Sequence, residues 1–372
     1  MAKGDNLPTV WELSPHTKAK HDILTRYLGA WFGIFGHSPR HSAVNVIDGF
    51  AGPGRYSKGE PGSPVLTLDT LLRHASFSKF KSTKFYFAFN EQDADRYASL
   101  RREVAALKAS HSPWPSNVTT EETSANFQDL IRDLLTSLKP GHVLAPTFAF
   151  IDPFGYRDVP MRLIKEVAEQ PCFELFIYFD FNSVNRFATA GNVDTHFDAL
   201  FGCAEYRNAP MGGRERQAFL HDLYESQLRS ICGFKFVRSF GMINKGGHTG
   251  NYLFFCTNSA LAYDRMKEAM WKLSPSGDYK FDDRLAGQQI LFGNEADTAP
   301  LQDELASHFA GRSVNFEVVS QYVVSETPFY SGQVKKLTLK PMQNEGRISS
   351  PNQKTKGTFP DGTIIEFPSL PV

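Results

Sequence analysis

Ala43-Val-Asn-Val-Ile-Asp-Gly-Phe-Ala-Gly-Pro-Gly-Arg55 is an apolar run that ends abruptly at an acid and a cluster of glycines. Its β-branched residues predict a buried strand, and the glycines and proline predict a tight turn. Gly52 and Gly54 have no Cβ, so their backbone can take positive φ and approach a ligand closely. Asp48, at the strand tip, can accept hydrogen bonds from ribose or amino-acid groups. The segment predicts a strand followed by a nucleotide-binding loop.

The glycine spacing distinguishes two kinds of cofactor site. The dinucleotide fingerprint Gly-x-Gly-x-x-Gly does not fit, because Ser57 stands where it would need its last glycine. The pattern Asp-x-Phe-x-Gly-x-Gly resembles the first motif of S-adenosylmethionine-dependent methyltransferases. A glycine-rich turn without a ligand is the alternative. The resemblance implies S-adenosylmethionine as cofactor, bound by Asp48, Phe50, Ala51, Gly52 and Gly54.

Two further strand ends fall where that fold would place cofactor contacts. Residues 84–89 predict a second strand that leads to Glu91. An acid at this tip can accept hydrogen bonds from both ribose hydroxyls, although a surface acid that begins a helix is the alternative. Residues 118–123 predict a third strand. The methyltransferase layout then implies that Asn126 and Phe127 lie beside the adenine.

A second informative stretch is Thr147-Phe-Ala-Phe-Ile-Asp-Pro-Phe-Gly-Tyr156, a hydrophobic strand that ends in an acid. It resembles the Asp-Pro-Pro-Tyr motif of amino methyltransferases that act on adenine, with Phe154 in place of the second proline and glycine in place of the aromatic residue. The resemblance implies that Asp152 and the Pro153 carbonyl accept hydrogen bonds from an amine. Phe154 or Tyr156 would stack on the base. A plain Asp-Pro turn at a strand end is the alternative.

The next predicted elements complete a sheet. Residues 172–181 predict the strongest strand of the chain, and polar residues at its end could contact a substrate. Residues 234–240 and 250–257 predict an antiparallel hairpin that closes a methyltransferase sheet. At the other end of the chain, residues 16–35 predict an amphipathic helix with a polar face that includes Lys20. The substrate-contact candidates are Asp180, Asn182 and Arg186.

Composition limits the function classes. Forty basic and forty acidic residues give no net charge, so a nucleic-acid surface must be local. The 32 phenylalanines predict an aromatic core. The four cysteines lack Cys-x-x-Cys spacing, so neither a zinc site nor a disulfide framework is predicted, and buried thiols in a reducing cytoplasm are expected. No apolar signal core and no membrane span are predicted.

The C-terminal region has a different pattern. Residues 274–300 are rich in Ser, Gly, Asp and Pro, which predicts a boundary: a methyltransferase-like domain at 1–275, a linker at 276–300 and a second domain at 301–372. Three short helices and a hairpin predict a winged helix, whose third helix and wing commonly contact nucleic acid. A protein-contact role is the alternative. The candidate nucleic-acid contacts are Lys335, Lys336, Lys340, Lys354 and Lys356.

Taken together, several segments resemble the three-Cys-motif partner proteins (TcmP): Lys20-His-Asp, the glycine loop, Gly59-Glu-Pro-Gly-Ser-Pro, Phe150-Ile-Asp-Pro-Phe-Gly and Thr327-Pro-Phe with its lysine-rich helix. The family is regarded as bacterial and methyltransferase-like, with a C-terminal winged helix. Its name comes from a neighbouring three-cysteine protein thought to be of iron–sulfur, radical type. The resemblance implies a cofactor and a possible protein partner.

The sequence thus predicts a Rossmann-like class I methyltransferase sheet with a C-terminal winged helix. The predicted activity is methyl transfer from S-adenosylmethionine to an amine of a nucleic-acid base. The rival is a non-catalytic subunit that binds the three-cysteine protein or nucleic acid, since a fold does not establish activity. Hydrolysis at the two acids lacks a third metal ligand at any recognisable spacing.

Overall fold

The computed structural model describes residues 8–155, 157–187, 194–285 and 296–369. The chain divides into two compact units. The first comprises Met1–Ser259 with Phe281–Ala286, and the second comprises Ala260–Lys280 with Gly287–Val372. The predicted three-part domain division stays a prediction, and its linker includes residues outside the described ranges.

An eight-stranded, mostly parallel sheet forms the centre of the first unit. Its strands are β1 (Ala43–Asp48), β2 (Lys84–Asn90), β3 (Val118–Thr123), β4 (Thr147–Ile151), β5 (Phe173–Phe179), β6 (Phe236–Ile243), β7 (Thr249–Thr257) and β8 (Lys280–Asp282). Their order in the sheet is β3-β2-β1-β4-β5-β7-β6-β8. The strands β1 to β5 run parallel, whereas β7 is antiparallel to both β5 and β6. The predicted closing hairpin is therefore confirmed.

Helices connect the parallel strands, as crossover connections require. Ser14 caps the first helix by accepting from the backbone N–H of Thr17, and Asp93 caps the third by accepting from that of Arg96. The helices of this unit are α1 (Pro15–Gly36), α2 (Ser63–Leu72), α3 (Ala94–Ser110), α4 (Phe127–Thr136), α5 (Met161–Ala168), α6 (Phe181–Phe187), α7 (Asp194–Phe201) and α8 (Gly213–Ser230).

One prediction about these elements was wrong. The strand predicted at residues 172–181 ends at Phe179, and the polar residues after it belong to α6, because Asp180 accepts hydrogen bonds from the N–H and hydroxyl of Ser183 and so caps a helix. β8 lies within residues 274–300, the predicted boundary, and at the edge of the sheet.

Aromatic side chains fill the core, as the phenylalanine content predicts. Phe148 and Phe176 are fully buried on neighbouring strands, and their ring centroids are 6.5 Å apart. Tyr27 of α1 packs 5.3 Å from Phe148 and 5.0 Å from Phe255. Such large rings bury much apolar surface at each position, which favours one tightly packed sheet. No helix in the described ranges is both long and apolar enough to cross a membrane.

The second unit is mostly helical. A two-stranded antiparallel sheet pairs residues 313–315 with residues 364–366, and a single bridge joins Ser349 to Glu366. The segment from Ser331 to Asn344 is continuous, with a wider turn at Val334–Leu339 between two short helices. The elements of this unit are α9 (Ala260–Trp271), α10 (Ala299–His308), β9 (Ser313–Asn315), α11 (Phe316–Glu326), α12 (Ser331–Gln333), α13 (Lys340–Asn344) and β10 (Ile364–Glu366).

A buried lysine links α9 to the end of α11. The ammonium of Lys267 is fully buried and donates to the backbone carbonyls of Val323 (3.2 Å), Val324 (2.8 Å) and Thr327 (3.1 Å), and also to that of Phe329. Carbonyls at the end of a helix have no intrahelical partner, so this ammonium satisfies several of them at once.

We expect Lys267→Met to destabilise the second unit by about 3 kcal/mol, since the carbonyls would stay buried without a donor. Hydrogen exchange in the full-length protein would then accelerate across residues 316–329 and stay unchanged in β1. Lys272→Met, an exposed lysine just beyond the same helix, is the matched control. Equal exchange in both variants would contradict the assigned role.

Candidate cofactor and acceptor site

The glycine loop after β1 has the geometry that its sequence predicts. Gly52 and Gly54 adopt φ of +62° and +82°, which side-chain-bearing residues rarely take. Gly62 donates its N–H to the Gly54 carbonyl at 2.8 Å, and a Cβ on Gly62 would lie 2.9 Å from the Gly54 carbonyl carbon. The continuation Gly59-Glu-Pro-Gly-Ser-Pro therefore folds back onto the loop and begins α2 beside it.

Asp48 lies at the tip of β1 and is 2% exposed. Its Oδ1 accepts from the Phe50 N–H at 3.3 Å, whereas its Oδ2 is buried without a hydrogen-bond partner among the described residues. Burial raises the pKa of this carboxyl to about 7, against the opposing effect of the nearby Ser63 hydroxyl and the Phe50 N–H. An orphaned buried acceptor costs free energy, so it favours a ligand that brings a donor or a positive charge.

Glu91 follows β2 directly and lies next to the glycine loop. Its Oε2 accepts from the Gly52 N–H at 3.0 Å, and its Oε1 accepts from the Asp93 N–H at 2.9 Å. Burial raises its pKa. A carboxylate has about four acceptor sites, so both oxygens keep capacity for ligand hydroxyls while they fix the loop.

The corner after β3 also reaches this loop. Phe127 is buried, its ring lies 5.1 Å from that of Phe50, and a Cβ on Gly49 would meet it at 2.6 Å. Asn126 caps α4 by accepting from the Gln128 N–H at 2.9 Å. The structure thus brings Phe127, Phe50 and the loop together, and it gives the Asn126 side chain a capping role. Ala51 is buried within the loop.

Asp152, just beyond the tip of β4, makes an ion pair that the sequence analysis did not predict. The Lys20 ammonium donates to its Oδ2 at 2.5 Å and also lies 4.2 Å from the centroid of the Tyr178 ring. Lys20 is only 7% exposed, so its predicted place on a polar helix face was wrong. The partner carboxylate explains why a lysine is tolerated there. Asp152 is partly exposed, and its Oδ1 makes no hydrogen bond to the described residues.

The residues after Asp152 border a small recess. Pro153 is buried, and its carbonyl accepts from the Gly155 N–H at 3.0 Å, which leaves one lone pair. Phe154 is 42% exposed. Tyr156, the other predicted stacking residue, lies outside the described residues. The recess is lined by Pro153, Gly155, Tyr178, Asp180 and their neighbours.

The three substrate-contact candidates that follow β5 lie in different surroundings. Asp180 lines the recess and caps α6. Asn182 is exposed and contacts Gly250, where an added Cβ would lie 2.5 Å from its amide nitrogen. Arg186 is exposed on α6. Asp180 is therefore the member of this group that shares a surface with Pro153.

Four contributors to the site were missed from the sequence: Lys20, Trp11, Arg96 and Asn90. The Asn90 amide donates to the carbonyls of Gly49 (3.2 Å) and Ala125 (3.1 Å), so it clamps two loops together. The position of Asn90 at the end of the apolar β2 segment is the sequence feature that could have indicated its place in the site. The other three act on partners that are distant in the sequence, and no local pattern marks them. Within the described ranges, no group of three or more His, Cys, Asp and Glu side chains is arranged to hold a metal ion.

No protein-family model and no curated protein matches the chain, whereas solved structures do. Trm1 from Pyrococcus horikoshii, solved with S-adenosyl-L-methionine, is 13% identical over 73% of this chain and 62% of its own, with a TM-score of 0.38. Human methyltransferase-like protein 13, in complex with SAH, is 13% identical, and the match covers 70% of this chain and 92% of that protein's chain, with a TM-score of 0.35. The METTL16 MTase domain is 13% identical, and the match covers 63% of this chain and 66% of that domain's chain, with a TM-score of 0.32.

The chain spans less than two thirds of the length of Trm1. The fold of this chain is a large, mostly parallel α/β sheet.

The predicted lysines of the second unit are all exposed. Lys335 lies 4.3 Å from the centroid of the Phe316 ring on α11. The alkyl chain of Lys340 packs against Gly357, where an added Cβ would lie 3.3 Å away. That contact brings α13 against the polar loop that carries Lys354 and Lys356. Lys336 lies on the wider helical turn that precedes α13.

Proposed function

We propose that the protein is an S-adenosylmethionine-dependent methyltransferase that acts on an amine of a nucleic-acid base. The observation that carries this proposal is the pairing of two acids at the carboxyl ends of neighbouring parallel strands. Asp48 ends β1 and Asp152 follows β4, and each keeps one carboxylate oxygen without a hydrogen-bond partner among the described residues. Crevices at such strand ends are where open α/β sheets bind their ligands.

The cofactor would lie along the glycine loop. Gly52 and Gly54 leave room for close approach, and the buried Oδ2 of Asp48 fits the positively charged amino group of the methionine part. Glu91 would accept from the ribose hydroxyls, and Phe127 with Asn126 would border the adenine. When bound, this cofactor supplies a methyl group on a positively charged sulfur.

The acceptor amine would lie against Asp152. Lys20 occupies Oδ2, so the amine can donate to Oδ1 and to the free lone pair of the Pro153 carbonyl. Two such acceptors fix the two N–H bonds and leave the nitrogen lone pair directed at the methyl group. Phe154 offers an exposed ring for stacking on the base, and Tyr156 is proposed as a second one.

The C-terminal unit would serve nucleic-acid binding as a winged helix. Three helical segments, a small antiparallel sheet and exposed lysines on α13 and the adjoining loop support that proposal. We further propose membership of the three-Cys-motif partner (TcmP) family and a bacterial, cytoplasmic origin. The expectation of buried thiols holds for Cys232 and Cys256 and fails for Cys172, which is exposed.

A non-catalytic role beside a three-cysteine protein is the second candidate. The observation that favours this role is the ion pair between Lys20 and Asp152. One of the two Asp152 oxygens that could accept from a substrate amine is already occupied by the Lys20 ammonium. In that role the sheet would be a docking platform.

Calorimetry with S-adenosylmethionine, followed by transfer of a radiolabelled methyl group into mixed DNA and RNA oligonucleotides, tests the proposal. We expect saturable binding and label in the nucleic acid. A Glu91→Gln variant should bind at least tenfold more weakly, because the neutral amide lacks the charge that strengthens the hydrogen bonds from the ribose hydroxyls and from the Gly52 N–H. Absence of binding to the wild type would overturn the enzyme proposal and favour the docking role.

A further inference from the structure

Arg96 is a buried cation without a hydrogen-bonding partner among the described residues. It stands in the first turn of α3 and is 5% exposed. Its Nε–H is enclosed and unpaired, and its guanidinium makes no hydrogen bond or ion pair within the part of the chain that the structure describes. Glu91 is close enough for Arg96 to lower its pKa, but the Glu91 oxygens accept instead from two backbone N–H groups. A charge this deeply buried is costly unless it is paired.

Two aromatic rings hold the guanidinium in place. Its carbon lies 5.4 Å from the centroid of the Trp11 ring and 5.3 Å from that of Phe154. The two rings meet edge to face at 5.7 Å. Cation–π contacts offset part of the desolvation cost of the guanidinium, but they leave its buried Nε–H unsatisfied. We name Arg96, Trp11 and Phe154 the arginine–aromatic cluster.

The arginine–aromatic cluster lies at the proposed ligand site. Trp11 is 3.8 Å from the point where a Cβ on Gly52 would stand, and its carbonyl accepts from the Ser57 N–H at 2.9 Å. Phe154 comes two residues after Asp152. The guanidinium therefore lies beside aromatic rings that border the glycine loop and follow Asp152.

We propose that Arg96 is the subsite for an anionic group, carboxylate or phosphate, of a ligand that also presents a flat ring to Trp11 or Phe154. A guanidinium is suited to this, because its planar fork pairs with either group through two parallel hydrogen bonds. The anion is either the carboxylate of the cofactor or a phosphate of the acceptor nucleotide. The inference rests on the proposed function for the identity of these ligands.

Two matched pairs of probes distinguish the sources. S-Adenosylhomocysteine carries a carboxylate that 5′-methylthioadenosine lacks, and adenosine 5′-monophosphate carries a phosphate that adenosine lacks. We expect Arg96→Gln to weaken binding of one charged probe at least tenfold and to leave its neutral counterpart unchanged. Arg102→Gln, an exposed arginine on the same helix, should match wild type.

A loss confined to S-adenosylhomocysteine assigns the subsite to the carboxylate, and a loss confined to the nucleotide assigns it to phosphate. Equal affinities of Arg96→Gln and wild type for both charged probes would overturn the proposal, as would equal losses for charged and neutral probes. Nucleotide binding that depends on Arg96 without any S-adenosylhomocysteine binding would support the subsite while the methyltransferase proposal fails.

Discussion

Replacing Asp152 with asparagine is expected to lower the methyl-transfer rate at least 100-fold while affinity for S-adenosylmethionine stays within about threefold of wild type. Lys20 holds one side of the Asp152 carboxylate, so the single oxygen of the amide would turn toward that ammonium. The amide NH₂ would then face the acceptor amine, a donor against a donor. Single-turnover transfer into the nucleic acid that the wild type methylates measures the rate, and calorimetry measures the affinity.

Asp22→Asn provides the control for this variant. Asp22 is also an aspartate paired with a lysine, Lys18, at 2.7 Å, but that pair is on the surface of α1. Lys20→Met adds a second test, because a residue that acts only through Asp152 should cause no further loss in the double variant. A parallel fall in cofactor affinity for Asp152→Asn would move Asp152 into the cofactor site and contradict its assignment to the acceptor.

The sheet and the strand-tip acids could be predicted because they depend on local patterns. Each inner strand is a nearly continuous apolar run, as expected for strands buried on both faces, and β1 and β4 end at turns marked by glycine or proline. Asp48, Glu91 and Asp152 lie at the ends of β1, β2 and β4, and they were predicted from those positions. The positive φ at Gly52 could be predicted because glycine is the residue that adopts it readily in a tight loop.

The partners of those acids could not be predicted, because they come from distant segments. Lys20 and Asp152 are 132 positions apart, and helical periodicity counts any lysine as part of a solvent-facing surface. Arg96 is one of several charged residues in α3, and only the fold shows that it, and not its neighbour Asp95, points a charge into the interior beside Trp11. Helix α6 was missed because its cap, Asp180, ends a run with the composition of a strand.

Asp48 should make cofactor affinity depend on pH. In the free protein burial raises the pKa of this carboxyl to about 7, so below that pH it carries a proton. A bound ammonium favours the carboxylate, so binding must release the proton at low pH. We expect affinity for S-adenosylhomocysteine to rise between about pH 5.5 and 7, by up to about tenfold per pH unit, and to level off near about pH 7.5. Asp48→Asn should bind at least tenfold more weakly at about pH 7.5 and show no such slope.

The folding stability of the free protein should fall over the pH range in which cofactor affinity rises. A carboxyl whose pKa is higher in the folded than in the unfolded state lowers stability as pH rises from about 4 to 7, and the full penalty remains above 7. The free Asp48→Asn protein should therefore melt at a higher temperature than wild type at about pH 8 and lose that advantage near about pH 4. The exposed Asp129→Asn variant is the control for both measurements. Tighter folding combined with weaker binding is expected only of an acid that is kept buried and incompletely paired for a ligand, because a structural acid would lose stability when neutralised.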